Sequence, residues 1–288
     1  MMTRYLRLIT LLVVVGLLAA CNTTPPSPLE DGKAALTAKD SAKAIAALEK
    51  AIAAEPGNAA AHILLGQAYF RAEDKAKAEE QFSAGFTLDQ AIALTADATA
   101  EEQFLAGNVH AGLGQFDQAL SAYEATLKLE PNKAGAFTNI GVVYYQTGKL
   151  DDAIGQFKKA LELDAQDAET HYLLGAAYVQ KDNLPEAEAE FNTALGLKPE
   201  LAPAHIGLGN IYLLGQQYDQ AIAALEKALA LQSDSPEALF AIGQAYGAAG
   251  KTTEAIDALT KCVSLNPPEP FRSKAQEILQ QLSAPQPK

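Results

Sequence analysis

Tryptophan is missing from this 288-residue chain, cysteine and methionine occur twice each, and 22 basic residues face 35 acidic ones. Each shortage excludes something. A formal charge of −13 repels phosphate backbones, which argues against nucleic acid as a partner. The same charge disfavours electrostatic docking onto anionic lipid headgroups, so any membrane contact has to come from an anchor. The two cysteines, Cys21 and Cys262, form no CxxC pair, and the four histidines make no HExxH motif. Nucleophile-elbow and phosphate-loop glycine spacings are also missing, so nothing points to an enzyme, a cofactor, a metal or a small-molecule substrate. What remains is an alanine-rich chain with moderate glycine and proline, a composition that suits helices.

No apolar run reaches the roughly 20 residues needed to span a bilayer. The longest begins the chain: Arg4 and Arg7 precede an apolar stretch from Leu8 to Leu18, followed by Ala19, Ala20 and Cys21. That order reads as a secretory signal over residues 1–20. The Leu18-Ala19-Ala20-Cys21 quartet resembles the lipobox of bacterial lipoproteins. The resemblance implies cleavage before Cys21 and lipidation of its thiol, with palmitate or a similar chain on the new amino group. A plain secretory signal or a short uncleaved anchor is the alternative reading of the same residues. With Cys21 lipidated, Cys262 has no intramolecular disulfide partner. Residues 21–28 then form a proline-rich tether of roughly 20 Å. Asn22 stands where lipoproteins retained at the inner membrane carry Asp. The expected location is the cell envelope: an outer membrane, facing the periplasm, if the source has one, and otherwise the outer face of the cytoplasmic membrane.

Behind the tether the sequence repeats. Gly141, Gly175, Gly209 and Gly243 are 34 residues apart. Tyr144, Tyr178, Tyr212 and Tyr246 keep the same phase, as do Ala153, Ala187, Ala221 and Ala255, and Phe157, Phe191, Leu225 and Leu259. Columns in one register at this period resemble the tetratricopeptide repeat (TPR), whose unit is an antiparallel helix pair. Units are expected at about 25–58, 59–92, 100–133, 134–167, 168–201, 202–235 and 236–269. A polar-backed capping helix at 270–282 and a disordered tail at 283–288 complete the chain. The fold class implied is all-α: a TPR solenoid over residues 29–282, seven helix pairs plus the cap, coiled as a right-handed superhelix. Within each pair, the glycine at repeat position 8 is expected to pack against the alanine at position 20. Residues 93–99 (ALTADAT) interrupt the phase, with Thr99 and Glu102 at capping-box spacing. The interruption is expected either to lengthen a helix or to form a neutral loop.

The resemblance also implies a binding face. TPR partners meet positions 2, 5, 9, 12 and 13 of the first helices. In this sequence the face comprises Ile63, Gln67, Phe70, Arg71, Phe104, Asn108, Thr138, Val142, Tyr145, Gln146, Tyr172, Val179, Gln180, Ile206, Asn210, Leu213, Phe240 and Gln244. Apolar surface studded with carboxamides suits an extended peptide or a hydrophobic helix. A basic clamp for a terminal carboxylate is not expected, since Arg71 stands alone. His62, His171 and His205 share repeat position 4 and are expected to pack rather than to bind metal. The implied function is a membrane-anchored scaffold for protein–protein interaction. By overall layout the chain is also similar to lipoproteins that pilot secretin assembly in type IV pili.

Overall fold

The computed structural model describes residues 27–89 and 93–283. The signal, Cys21 and most of the tether lie outside the described residues, as does the tail beyond Ser283. Among the described residues there are fifteen helices and no strand. They are α1 (Pro28–Thr37), α2 (Ser41–Ala54), α3 (Ala59–Arg71), α4 (Lys75–Leu88), α5 (Ala100–Gly112) and α6 (Phe116–Leu129). Then come α7 (Ala134–Gln146), α8 (Leu150–Leu163), α9 (Ala168–Gln180), α10 (Leu184–Leu197) and α11 (Ala202–Leu214). The series closes with α12 (Tyr218–Leu231), α13 (Pro236–Ala248), α14 (Thr252–Ser264) and α15 (Phe271–Ser283). The fold is the all-helical repeat solenoid that the sequence implies. The chain divides at residues 130 and 131 into unit 1, three helix pairs, and unit 2, four pairs with the closing helix α15.

The turn inside each pair recurs with little variation. Position 15 adopts positive φ in every pair: at Gly114, Gly148 and Gly250, but also at Lys39, Glu73, Asp182 and Gln216. The N–H of position 16 then bonds back to the carbonyl of position 11, as in Lys149 to Tyr144 (2.9 Å) and Gln217 to Tyr212 (2.8 Å). This is the Schellman closure that satisfies carbonyls at a helix C-terminus. Asp40, Asn58, Asp74, Asp167 and Ser235 cap the helices that follow them. Ser27 caps α1 and Pro28 occupies its first turn, so the tether ends before Pro28.

Packing within a pair adds a second partner to the expected one. A Cβ on Gly141 would lie 2.6 Å from the Phe157 ring, and one on Gly175 would lie 2.7 Å from Phe191. Gly66 meets Phe82, Gly107 meets Tyr123 and Gly209 meets Leu225 in the same way. The glycine at position 8 thus makes room for the large side chain at position 24, and at Gly175 the position-20 backbone is close as well, with the Ala187 carbonyl 3.3 Å from where the Cβ would be. Pairs are then tied to each other by tyrosine. Tyr69 donates to Glu49 of α2 (2.7 Å), Tyr212 to Glu188 of α10 (3.0 Å) and Tyr246 to Glu226 of α12 (2.9 Å). The Glu49 hydrogen bond, with burial behind it, pushes the Tyr69 phenol up to about 12.

The last helix, α15, covers the final pair. Its Ala275 is completely buried beside Leu239, Leu259 and Cys262, with Ile278 and Leu282 packed around them. Cys262 donates its thiol hydrogen to the Pro236 carbonyl at 3.4 Å, and burial raises its pKa. It is a small packing residue, as its repeat column suggests.

Candidate functional site

First helices of successive pairs contact one another in both units, α1 with α3, and α7, α9, α11 and α13 in sequence. They therefore form an inner layer, and the sequence-predicted binding residues fall on it. The two units treat that layer differently.

In unit 1 the inner face is already occupied. Residues 93–99 are not helical; they lie across α3 and α5 as a strap. Gln67, completely buried, accepts the Thr95 N–H at 3.3 Å and donates Nε2–H to the Thr95 hydroxyl at 2.8 Å. Arg71 meets Asp97 at 3.3 Å and pairs bidentately with Glu102, Nε to Oε1 at 2.7 Å and Nη2 to Oε2 at 3.3 Å. Glu102 is fully buried, and its Oε2 also accepts the Thr99 N–H at 2.7 Å, completing the capping box that starts α5. The Glu102 hydrogen bond raises the Arg71 pKa further against its burial. Arg71 is thus fastened inside the molecule and offers no clamp to a ligand. Ile63 is buried against Gly85, Phe70 packs partly into the unit 1 core, Phe104 leans on Tyr123, and Asn108 accepts the Tyr123 hydroxyl at 2.9 Å. The expected open groove over Ile63, Gln67 and Arg71 is therefore closed, because the strap and the core take those side chains.

In unit 2 no described loop crosses the inner layer as the strap does in unit 1. Ile206 is buried and Phe240 packs edge-on against Phe271 of α15, so these two are structural, contrary to expectation. Thr138 bonds Thr170, whose hydroxyl in turn donates to Asp167 at 2.6 Å. Val142 and Val179 pack partly against the unit 2 core, as do Tyr145 and Tyr172. Tyr172 also tilts over Phe191 at 5.8 Å. Burial, and then the neighbouring Tyr145 and Glu237, raise the Tyr172 pKa and keep it a neutral hydrogen-bonding group. The carboxamides Gln146, Gln180, Asn210 and Gln244 are exposed. The first helices of unit 2 carry no lysine or arginine.

These features converge at the end of the unit. A recess of about 620 Å³ opens between α11, α13 and α15, lined by Asn210, Leu213, Leu214, Tyr218, Gly243, Gln244, Gly247, Ala248, Ile278 and Leu282. Three predicted residues, Asn210, Leu213 and Gln244, meet there. Tyr218, Ile278 and Leu282 complete the wall; sequence reasoning assigned the last two to the cap alone, since periodicity reports a buried stripe and not which part of it is left uncovered.

A larger recess, about 760 Å³, lies between α10, α11 and α12, with Leu195, Pro199, His205, Leu208, Tyr212 and Leu231 in its wall. Its buried polar atoms are already used, His205 Nε2 on the Pro199 carbonyl (2.9 Å) and Tyr212 on Glu188. Exposed Asn192, Gln220 and Lys227 also line it, but the inner recess gathers Asn210, Leu213 and Gln244 on the layer of first helices, which makes it the candidate site. The other position-4 histidines behave like His205. His62 bridges Gln81 (2.8 Å) and the Pro56 carbonyl (3.0 Å), while His171 bridges Glu190 (2.6 Å) and the Ala165 carbonyl (3.4 Å). They stitch each loop to a helix. Among the described residues no group of three His, Cys, Asp or Glu side chains is placed to hold a metal, and no helix is long and apolar enough to cross a membrane.

Family models place these features in a wider context. A model described as tetratricopeptide repeat matches residues 29–86, 104–168 and 141–203; two further repeat models match 209–250 and 236–269. A search of the curated proteins finds no match. Among solved structures, the MamA protein is 30% identical over 58% of this chain and 91% of its own, with a TM-score of 0.51. A thermophilic TPR protein in Thermus thermophilus, TTC0263, is 25% identical over 63% of this chain and 99% of its own, TM-score 0.52. YrrB, described as a TPR protein with an unusual peptide-binding site, is 19% identical over 69% of this chain and 99% of its own, TM-score 0.51, a likeness of fold alone.

Proposed function

The chain belongs to the tetratricopeptide-repeat family, and from that premise we propose that it is a scaffold that holds a peptide or protein segment on the inner face of unit 2. Proteins of this family generally serve protein–protein interaction rather than catalysis. The observation that carries the reading is the recess between α11, α13 and α15, apolar across its floor and edged by the exposed amides Asn210 and Gln244. A carboxamide pairs with both the N–H and the C=O of an extended backbone, while Leu213, Leu214, Ile278 and Leu282 bury side chains. Tyr145 and Tyr172 extend the apolar surface along the same layer; an aromatic of this size buries about 150–250 Å² and tends to dominate binding energy.

The proposal includes an anchor. Lipid on Cys21 would tether the repeats to an envelope membrane, the outer one if the source has it and otherwise the outer face of the cytoplasmic membrane, with residues 22–26 as spacer. It rests on the order of residues 1–21: basic start, short apolar stretch, small residues, cysteine. Replacing Cys21 with serine tests it by fractionation. Loss of the protein from membranes supports the anchor, and a chain still wholly with membranes sinks it. Binding is tested separately by affinity capture from detergent-solubilised membranes with wild type and with Tyr145→Glu plus Tyr172→Glu. The variant is expected to lose partners that the wild type retains; identical partner sets would reject the inner face as the binding surface.

A further inference from the structure

No column of the repeat explains the strap Ala-Leu-Thr-Ala-Asp-Ala-Thr at residues 93–99, yet the inner face of unit 1 reads it closely. Both polar atoms of the buried Gln67 amide are spent on one strap residue, Oε1 on the Thr95 N–H and Nε2 on its hydroxyl. Leu94, immediately before, packs against the unit 1 core, and Asp97, two residues after, meets Arg71. The Thr95 hydroxyl, and next Arg71, hold the Asp97 carboxyl below its usual range, so it stays charged at neutral pH. An amide gripping main chain and side chain, an apolar seat and a cation are the parts with which a groove recognises an extended peptide. Here all three act on the protein's own chain.

We propose that residues 93–97 are an internal occupant of a peptide site on the inner face of unit 1, Thr99 staying in place as the N-cap of α5. In their place the site takes an extended segment of another chain with the same chemistry. That segment has an apolar residue, then a hydroxyl residue, then a carboxylate two positions later. The hold on the strap is uneven: Thr95 is gripped by Gln67 and Ala98 is buried, while the Asp97 side chain is 62% exposed and Leu94 only partly buried. Arg71 keeps Glu102 when Asp97 leaves, so the face survives opening with its charges paired. The inference uses unit 1 alone and stands independently of the proposed site in unit 2.

The test uses a labelled synthetic peptide of strap sequence with blocked ends, titrated into the purified full-length chain. Wild type is compared with Thr95→Pro plus Asp97→Asn, which removes the donor, the hydroxyl and the charge that hold the strap. Apparent affinity scales with the open fraction of a site, so the variant is expected to bind at least about tenfold more tightly. Adding Gln67→Leu should return it to the wild-type level. Equal affinity in wild type and strap variant overturns the proposal, and so does binding indifferent to Gln67→Leu. A second measurement needs no variant. Hydrogen exchange at the Thr95 amide of the wild type should quicken with excess peptide, and an unchanged rate contradicts displacement. Peptide binding that persists in Tyr145→Glu plus Tyr172→Glu would separate this site from the one in unit 2.

Discussion

Leucine at position 175 would have to share space with the Phe191 ring, since even a Cβ there would sit 2.7 Å from it. Overpacking of this kind costs about 1–3 kcal/mol, and Gly175→Leu should lower the melting temperature accordingly, whereas Gly155→Leu, where a Cβ meets nothing within 4 Å, should not. The column of glycines was plain in the sequence, but its larger partner was not. Period 34 says which residues are equivalent and leaves open how far position 24 shares the gap with position 20. Arg71 makes a sharper case. Arg71→Leu strands the buried Glu102 carboxylate and is expected to cost about 3–5 kcal/mol by denaturant unfolding, while Arg71→Leu with Glu102→Leu should recover most of it. His110 stands where other repeats carry tyrosine. It stacks on Phe86 with ring centres 3.7 Å apart, and burial lowers its pKa, with Gln115 opposing. The unfolded chain therefore binds a proton at higher pH than the folded one, near 6.5. Its contribution is present above that pH and is lost as pH falls through the depressed value. Thermal melts should show that His110→Tyr loses less stability than wild type between neutral pH and pH 5.

Helices α1 to α15 were largely legible, because residue columns at a 34-residue period placed them in pairs and a polar-backed stretch at 270–282 placed the last. The turns do not require glycine: Lys39, Glu73, Asp182 and Gln216 accept positive φ, held by the same closing hydrogen bond as their glycine counterparts. The strap was not legible. ALTADAT has no periodicity, and its role comes from Gln67 and Arg71, far back in the sequence. For the same reason the sequence left Gln67 and Arg71 on an open face, whereas the strap covers them: nothing in the sequence of α3 announces that the chain returns over it. At this scale α15 offers a direct test. Ending the chain after Pro270 uncovers Leu239, Leu259 and Cys262. The Cys262 thiol, kept protonated and enclosed by burial, should react slowly with a thiol reagent in the whole chain and far faster in the shortened one.

For the molecule as a whole, stability and binding share one cause. A helix pair cannot bury its own apolar faces, so neighbours stack; stacking sets first helices side by side, and the side chains left over on that layer define what can be held. In unit 1 the chain itself covers them, and in unit 2 they remain open around Asn210, Leu213 and Gln244. The most direct measurement of that claim is site-specific photo-crosslinking in cells, with the reactive residue placed at Tyr172 on the inner layer or at Ala223 in the outer recess. Crosslinks to a protein partner from position 172 and none from 223 are the predicted result. The reverse pattern would put the partner on the second helices and contradict the account.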